Sequence, residues 1–448
     1  MSHDLGSRPS VLWARSSSGR LADGQGRASV SSALRGAVSS QAAVLVCLLA
    51  ASLLARVLTD DLSPSDSRHS GSVNSSGAIA LLFILVAAAL LVRRRGGAGP
   101  AMLAALWLCI WTAVAVSARG ASAETLREGV REGSVVALAV IAWSAREALS
   151  VTRAARLVQL VCAIPGAVAL YQFAAGTGMN ITGELRANGT LAHPNSAAML
   201  FALAAAVSLW LCLERGRRAF DAVATVLFGA ALIATFSIDG LITLAAMLLA
   251  LGALRPGGAR AKAVPFAMVA LLLLCFFATP LGSRRIAAES ATSVTERGEA
   301  NSSLSWRLKK WKALLPEWRS APVLGHGLGT TVTGRATPAS PYGGEPPHNE
   351  YLRYLVETGL VGLATLLAAL GALALRLLGA RRALAGRDGP AFAAVTLGIV
   401  VLLGCLVNSL ADNTLLDSPT CYLAALVLAA ALGATTARGE HPAVARET

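Results

Sequence analysis

Charge is what this chain has least of: Asp, Glu, Lys and Arg make up 14% of its 448 residues, where a soluble domain carries about 25%. So few ionised side chains cannot cover a water-facing surface, and an ordinary soluble domain is excluded. Aromatic residues are sparse as well, at 5%. The seven cysteines (Cys47, Cys109, Cys162, Cys212, Cys275, Cys405, Cys421) lie in or beside apolar runs and show no CxxC spacing. That excludes a disulfide framework and a zinc site and leaves them as small lipid- or helix-facing residues. There is no HExxH, no nucleophile elbow and no acid pair of the kind metal-dependent sugar transferases use. No apolar stretch precedes the first long run, so the Ser-, Gly- and Arg-rich residues 1–36 read as a disordered cytoplasmic tail rather than a signal peptide. The formal net charge is +14, but Lys and Arg cluster between apolar runs, so nucleic acid is not the expected partner.

What the chain has is hydrophobic length. Hydrophobic residues reach 55% and the mean hydropathy is +0.60. Runs of Leu, Ala and Val recur, near the about 20 residues a helix needs to cross a bilayer. They are continuous rather than alternating, which selects helices over barrel strands. Spans are expected at 38–58, 77–92, 100–118, 134–147, 157–174, 195–213, 220–238, 240–254, 264–281, 356–377, 391–408 and 419–435. The run 134–147 is the weakest, being short and flanked by Arg131 and Arg146, and 220–254 reads alternatively as one hairpin broken at Asp239-Gly240. The expected fold is therefore all-α: a polytopic membrane bundle of about twelve helices. Short connections rich in Arg (Arg93–Arg95; Arg146, Arg153 and Arg156; Arg255 and Arg260; Arg381 and Arg382) place one side inside, with both termini there.

One connection departs from this pattern. Residues 282–354 form a long polar loop on the outer side, between a bundle at 37–281 and C-terminal helices at 355–436; residues 437–448 form an inner tail. Loops this long are usually functional or disordered, and the helical, Trp-anchored SWRLKKWKALLPEW favours function. In it, Arg307, Lys309, Lys310 and Lys312 lie among Trp306, Trp311 and Trp318. Two readings stand side by side: an interfacial helix gripping anionic lipid, or a site for a lipid-linked phosphate with Arg307 as bidentate donor. GHGLGT looks like half a nucleotide fingerprint, but no strand–helix unit surrounds it.

The string PHNEYLRYLVETGLVGL, residues 347–363, is the most informative. Asn349 suits a helix N-cap. Glu350, Arg353 and Glu357 share one helical stripe, so Arg353 can pair with both acids. His348 has no such structural role, and a histidine at the bilayer surface suits a general base, the alternative being an ordinary interfacial histidine. A second string, LRANGTLAHPNSAAML, opens a span at Pro194-Asn195 on the same side. There Arg186 is a lone cation, read either as a phosphate ligand or as solvated, and His193 is a weaker candidate.

These residues resemble the O-antigen ligase and polymerase superfamily of bacterial membrane glycan transferases. The similarity rests on Arg186, Gly189, Pro194 and Asn195; on Arg307, Trp311, Pro322, Gly325 and Gly327; and on His348, Asn349, Tyr351, Leu352, Glu357, Gly359, Leu360 and Gly362. It covers roughly residues 180–380. The resemblance implies a C-type glycosyltransferase-like enzyme, needing neither metal nor cofactor, in the bacterial inner membrane with its active loop in the periplasm. Its partners would be the bilayer, an undecaprenyl-pyrophosphate-linked glycan donor, and an acceptor that is lipid A–core or a growing polysaccharide. By the same resemblance His348 would be the base, Arg186 and Arg307 would bind pyrophosphate, and Asn195, Asn349, Tyr351 and Glu357 would support them. Where the family often has Ser-Arg, this chain reads Ser237-Ile238-Asp239-Gly240, and Arg284 or Arg285 is the expected replacement cation. Rival readings are a flippase for lipid-linked glycan and a non-catalytic subunit of an export complex. A transporter should show internal repeats and mid-membrane polar residues, and neither is evident.

Overall fold

The computed structural model describes residues 42–60, 75–93, 123–181, 184–214, 218–278, 303–333, 346–386 and 389–436, with isolated positions between 107 and 116 and between 280 and 287. The helices are α1 (Ala42–Leu58), α2 (Ser75–Arg93), α3 (Ala123–Ser144), α4 (Val151–Ala175), α5 (Pro194–Glu214), α6 (Ala219–Ala234), α7 (Ile238–Leu254) and α8 (Ala259–Ala278). They continue with α9 (Ser303–Ser320), α10 (Glu350–Ala383), α11 (Pro390–Ala411) and α12 (Ser418–Thr436). A two-stranded antiparallel hairpin, β1 (Met179–Ile181) and β2 (Glu184–Arg186), lies between α4 and α5. Helices α4, α5, α10, α11 and α12 are long and apolar enough to cross a membrane, and α1, α2, α6, α7 and α8 contain shorter apolar helices. The chain is thus an all-α, multi-pass membrane protein. The tails 1–36 and 437–448, Arg284 and Arg285, and most of the span expected at 100–118 lie outside the described residues.

Helix α5 is the central post. Nearly its whole surface is enclosed, and it packs against α4, α6, α7, α11 and α12. Its alanines make this possible, because lipid gives no hydrophobic drive between helices and small side chains let backbones approach. A Cβ added to Gly240 of α7 would lie 2.6 Å from Ala198 Cβ of α5. Helix α10, by contrast, is exposed along its apolar length at Leu360, Val361, Leu367 and Leu375, as expected of a lipid-facing helix.

Two boundaries differ from expectation. The weak span extends upstream as α3, whose first half carries Glu128, Arg131 and Glu132; hydropathy missed it because these charges are matched internally, Arg131 to Glu128 and Glu132 to Arg353. The break between α6 and α7 lies at Thr235–Ser237, with Phe236 at φ 50°, and not at Asp239-Gly240. Ser237 caps α7 by accepting from Gly240 N–H, which draws Asp239 into the first helical turn.

The helix ends sort the polar residues. At one end, Arg156 pairs with Asp221, Arg255 bonds Glu214 and the Leu213 carbonyl, and Arg381 bonds the Leu254 carbonyl. The opposite end gathers the starts of α5, α7, α10 and α12 and the tip of α1, and there the sequence-singled residues meet.

Candidate functional site

The site begins with a break in α10. At Gly359 the backbone turns to φ 64°, and a Cβ there would lie 2.2 Å from the Val323 carbonyl oxygen. The break exposes backbone groups that Pro322–Gly327 satisfies: His326 and Gly327 N–H donate to the Val356 and Glu357 carbonyls (3.0 and 2.8 Å), and Leu360 and Val361 N–H donate to Pro322 and Val323 (2.9 and 3.2 Å). Gly325, at φ 70°, lies against Glu357 with no room for a Cβ. The Gly-x-Gly pattern is therefore a splice between the polar loop and α10, not a nucleotide cradle.

Below the splice is a buried charge cluster. Arg353 donates through Nε to Glu350 (2.7 Å), through Nη1 to Glu357 (3.1 Å) and through Nη2 to Glu132 of α3 (2.6 Å). Glu357 also accepts from Thr331 N–H and Oγ1–H (3.1 and 2.5 Å), Glu350 accepts from Leu415 N–H (3.1 Å), and the Tyr354 hydroxyl donates to Glu132. The pairing read from the helical stripe is present, with Glu132 and Tyr354 added from outside it. Glu357 thus belongs to this scaffold.

His348 sits just before α10 in a conformation uncommon for a residue with a side chain, φ 49°. Its surroundings hold it there. Its N–H donates to Asn413 Oδ1 (2.6 Å), its Nδ1 meets Asp412 Oδ1 (2.7 Å), and the preceding Pro347 carbonyl accepts from Trp311 Nε1 (2.7 Å). Its side chain keeps 20% of its surface exposed, and Trp306 lies edge-on at 5.7 Å between ring centroids. Burial works to raise the Asp412 carboxyl, but the charge and hydrogen bond of His348, the Asn413 N–H and nearby Arg307 hold it down at about 2. A carboxylate on Nδ1 orients the ring and directs Nε2 toward base chemistry.

The other expected residues converge here, though not as lone cations. Arg186 is buried and donates through Nε to the Thr235 carbonyl (2.7 Å) and through Nη2 to Asn195 Oδ1 (2.8 Å). It is neither solvated nor in a plain loop: it ends β2 and caps the α6–α7 break, helped by Ala187 N–H to the Ala234 carbonyl. Arg307 grips Asp239 with both arms, at 3.0 and 2.5 Å. The Asp239 that replaces the expected cation is thus the partner of Arg307, and a phosphate reaching Arg307 must share or displace that carboxylate. Lys310 is fully buried while Lys312 and Leu308 are exposed, so α9 presents its cationic stripe in part to the protein interior. Asn349 caps α10 by accepting from Leu352 N–H (2.9 Å), and Tyr351 donates to the Leu406 carbonyl (3.1 Å), so both hold the helix start.

Sequence reasoning missed Asp412, Asn413 and Asp60. Asp60 pairs with Arg56 and accepts from Ala192 N–H (3.0 Å), tying α1 to the loop that carries His193. For Asp412 and Asn413 the available signal was the pair of acids in SLADNTLLDSPT, a connection free of basic residues. His193 also arrives at the site, with its ring centroid 6.3 Å from that of His348.

Residues 223–367 match the sequence model of the O-antigen ligase family, which takes in the α6–α7 break, the polar loop, His348 and the α10 splice. No curated protein matches the chain.

Proposed function

We propose, from the match of residues 223–367 to the O-antigen ligase family model, that the chain serves surface-polysaccharide synthesis as a glycosyltransferase-like enzyme by the following reaction. Glycan passes from an undecaprenyl-pyrophosphate carrier to a hydroxyl of lipid A–core or of a growing polysaccharide, on the periplasmic side of the bacterial inner membrane. His348 takes the proton of the acceptor hydroxyl, whose oxygen attacks the anomeric carbon. The bond to the pyrophosphate oxygen breaks, and its electron pair leaves with the carrier. Arg186 and Arg307, with Arg284 or Arg285 from the polar loop, neutralise the departing charge.

The observation that carries this reading is the His348–Asp412 pair, held in a strained backbone at the end of the bundle where Arg186 and Arg307 also lie. A lone interfacial histidine needs no such support. The test is glycan display in a deletion strain complemented with wild type or His348→Ala, with membrane levels checked by immunoblot. Loss of transfer with lipid-linked glycan accumulating outside supports the reading, and the glycan length pattern then separates ligase from polymerase. Full display with His348→Ala overturns it and favours a flippase or scaffold.

A further inference from the structure

We infer that Asp239 sets the charge that the donor must carry: it occupies Arg307 against the singly charged phosphodiesters of lipid headgroups and yields it to a diphosphate. The inference deepens the donor site of the reaction proposed above and rests on that reading.

The need for such a residue follows from the two faces of α9. Leu304, Leu308, Lys312, Leu315 and Arg319 are exposed and fall on one stripe of this helix, the apolar and cationic face of a helix that lies on a bilayer. Arg307, Lys310 and Leu314 are buried on the other side. A guanidinium binds phosphate oxygens with two parallel N–H groups, and the phosphates most abundant at a bilayer surface are headgroups. An arginine here that took any phosphate would be held by lipid.

The structure gives Arg307 a resident anion instead. Asp239, in the first turn of α7, accepts from both of its arms (3.0 and 2.5 Å). The pair stands beside the proposed base: Trp306, the residue before Arg307, lies edge-on to the His348 ring at 5.7 Å between centroids. Arg307 is also near enough to Asp412 for its charge to help hold that carboxyl ionised. This is not a fastening of the Arg353 kind, whose carboxylates are all enclosed. Arg307 and Asp239 keep 9% and 13% of their side chains open, so an anion can approach the pair.

Charge then decides what displaces the carboxylate. A phosphodiester headgroup carries one negative charge, as Asp239 does, and gains nothing by the exchange that offsets breaking a pair already formed. A diphosphate brings a second charge and oxygens from two phosphoryl groups, so it outcompetes the carboxylate. Displaced Asp239 is not stranded, because the first turn of a helix favours an anion. Specificity of this kind comes from penalising the wrong ligand as well as from attracting the right one.

The experiment uses the full-length protein in nanodiscs of phosphatidylcholine alone or with phosphatidylglycerol, titrated with geranyl diphosphate. In phosphatidylcholine, Asp239→Asn should bind this probe about tenfold more tightly than wild type, since it removes a competing charge. Phosphatidylglycerol should erase most of that advantage by occupying the unguarded Arg307, and Asp239→Glu, which restores the charge, should restore the insensitivity to that lipid. An Asp239 that only ties α9 to α7 would give a lower melting temperature and no tighter binding. The inference is overturned if Asp239→Asn binds no more tightly than wild type in phosphatidylcholine, or if phosphatidylglycerol shifts Kd equally in both proteins. Should Asp239→Asn fail to insert, wild type decides alone: it must prefer geranyl diphosphate to the singly charged methyl geranyl phosphate by about 100-fold, and a preference below about tenfold overturns the filter. If wild type does not bind geranyl diphosphate at all, the donor site of the proposed reaction has failed. If it binds the probe and only the variants behave alike, the filter alone has failed.

Discussion

His348 and Arg353 lie within two turns of each other at the start of α10, yet their surroundings are opposite. Arg353 is fully enclosed, and three carboxylates from two helices take up its guanidinium. Those carboxylates are satisfied in turn by the Leu415 N–H, Thr331 and Tyr354. His348 has a single carboxylate on one nitrogen, a fifth of its side chain open, and a backbone pushed to positive φ. A charge whose every donor is matched has nothing left to offer a substrate, so it serves as a fastening. It joins α3, α10, the glycine-rich loop and the segment bearing Asp412. A group oriented from one side and open on the other fits the role of base proposed for it. The fastening holds the geometry that the open group needs.

The comparison breaks most severely at Arg353. Arg353→Ala would leave three buried carboxylates without their cation, and removing one partner of a buried pair costs about 3–5 kcal/mol. Little inserted protein is expected, measured as membrane level and as melting temperature in detergent. Arg353→Lys keeps the charge but not the fork and should fall between. His348→Ala should do the reverse, losing no more stability than its contact with Asp412 supplies, on the order of 2 kcal/mol, while transfer falls by on the order of 10²–10⁴-fold. If both substitutions lower protein level equally, the distinction between fastening and working group is wrong.

Gly359→Ala tests the link between the two regions. A side chain at φ 64° costs about 1–3 kcal/mol, and its Cβ would also strike the Val323 carbonyl. The splice should loosen, with a lower melting temperature and a smaller loss of transfer than His348→Ala produces. The smallest effect concerns pH. The Asp412 carboxyl sits at about 2, below its ordinary 3.8, so its ionised form is the one the fold favours. That contribution, on the order of 2 kcal/mol, is complete above about pH 4 and is lost as pH falls toward 2. The melting-temperature gap between wild type and Asp412→Asn should therefore close as pH falls from about 4 toward 2. A gap independent of pH would show that the carboxylate charge is not what stabilises this corner.

Much of the architecture was legible because its cause is local. Apolar runs marked α4 to α8 and α10 to α12, of which α4, α5, α10, α11 and α12 are long and apolar enough to cross a bilayer, and the Asn349 cap and the Glu350–Arg353–Glu357 stripe follow from helical spacing alone. The α3 boundary was misplaced because its charges look expensive until their partners are known. Arg186 read as a lone cation because its acceptors are the Thr235 carbonyl and Asn195, and a carbonyl leaves no trace in a sequence pattern.

By itself, then, the sequence determined that the chain crosses a membrane repeatedly as helices, that a polar loop interrupts them, and that His348 stands at a helix start. Hydropathy and periodicity act between near neighbours, so they survive in one dimension. Only the tertiary structure decided that Asp412 orients His348, that Asp239 occupies Arg307, and that the His193 ring lies beside that of His348. Each of those pairings joins distant parts of the chain, and only packing around α5 brings them within reach.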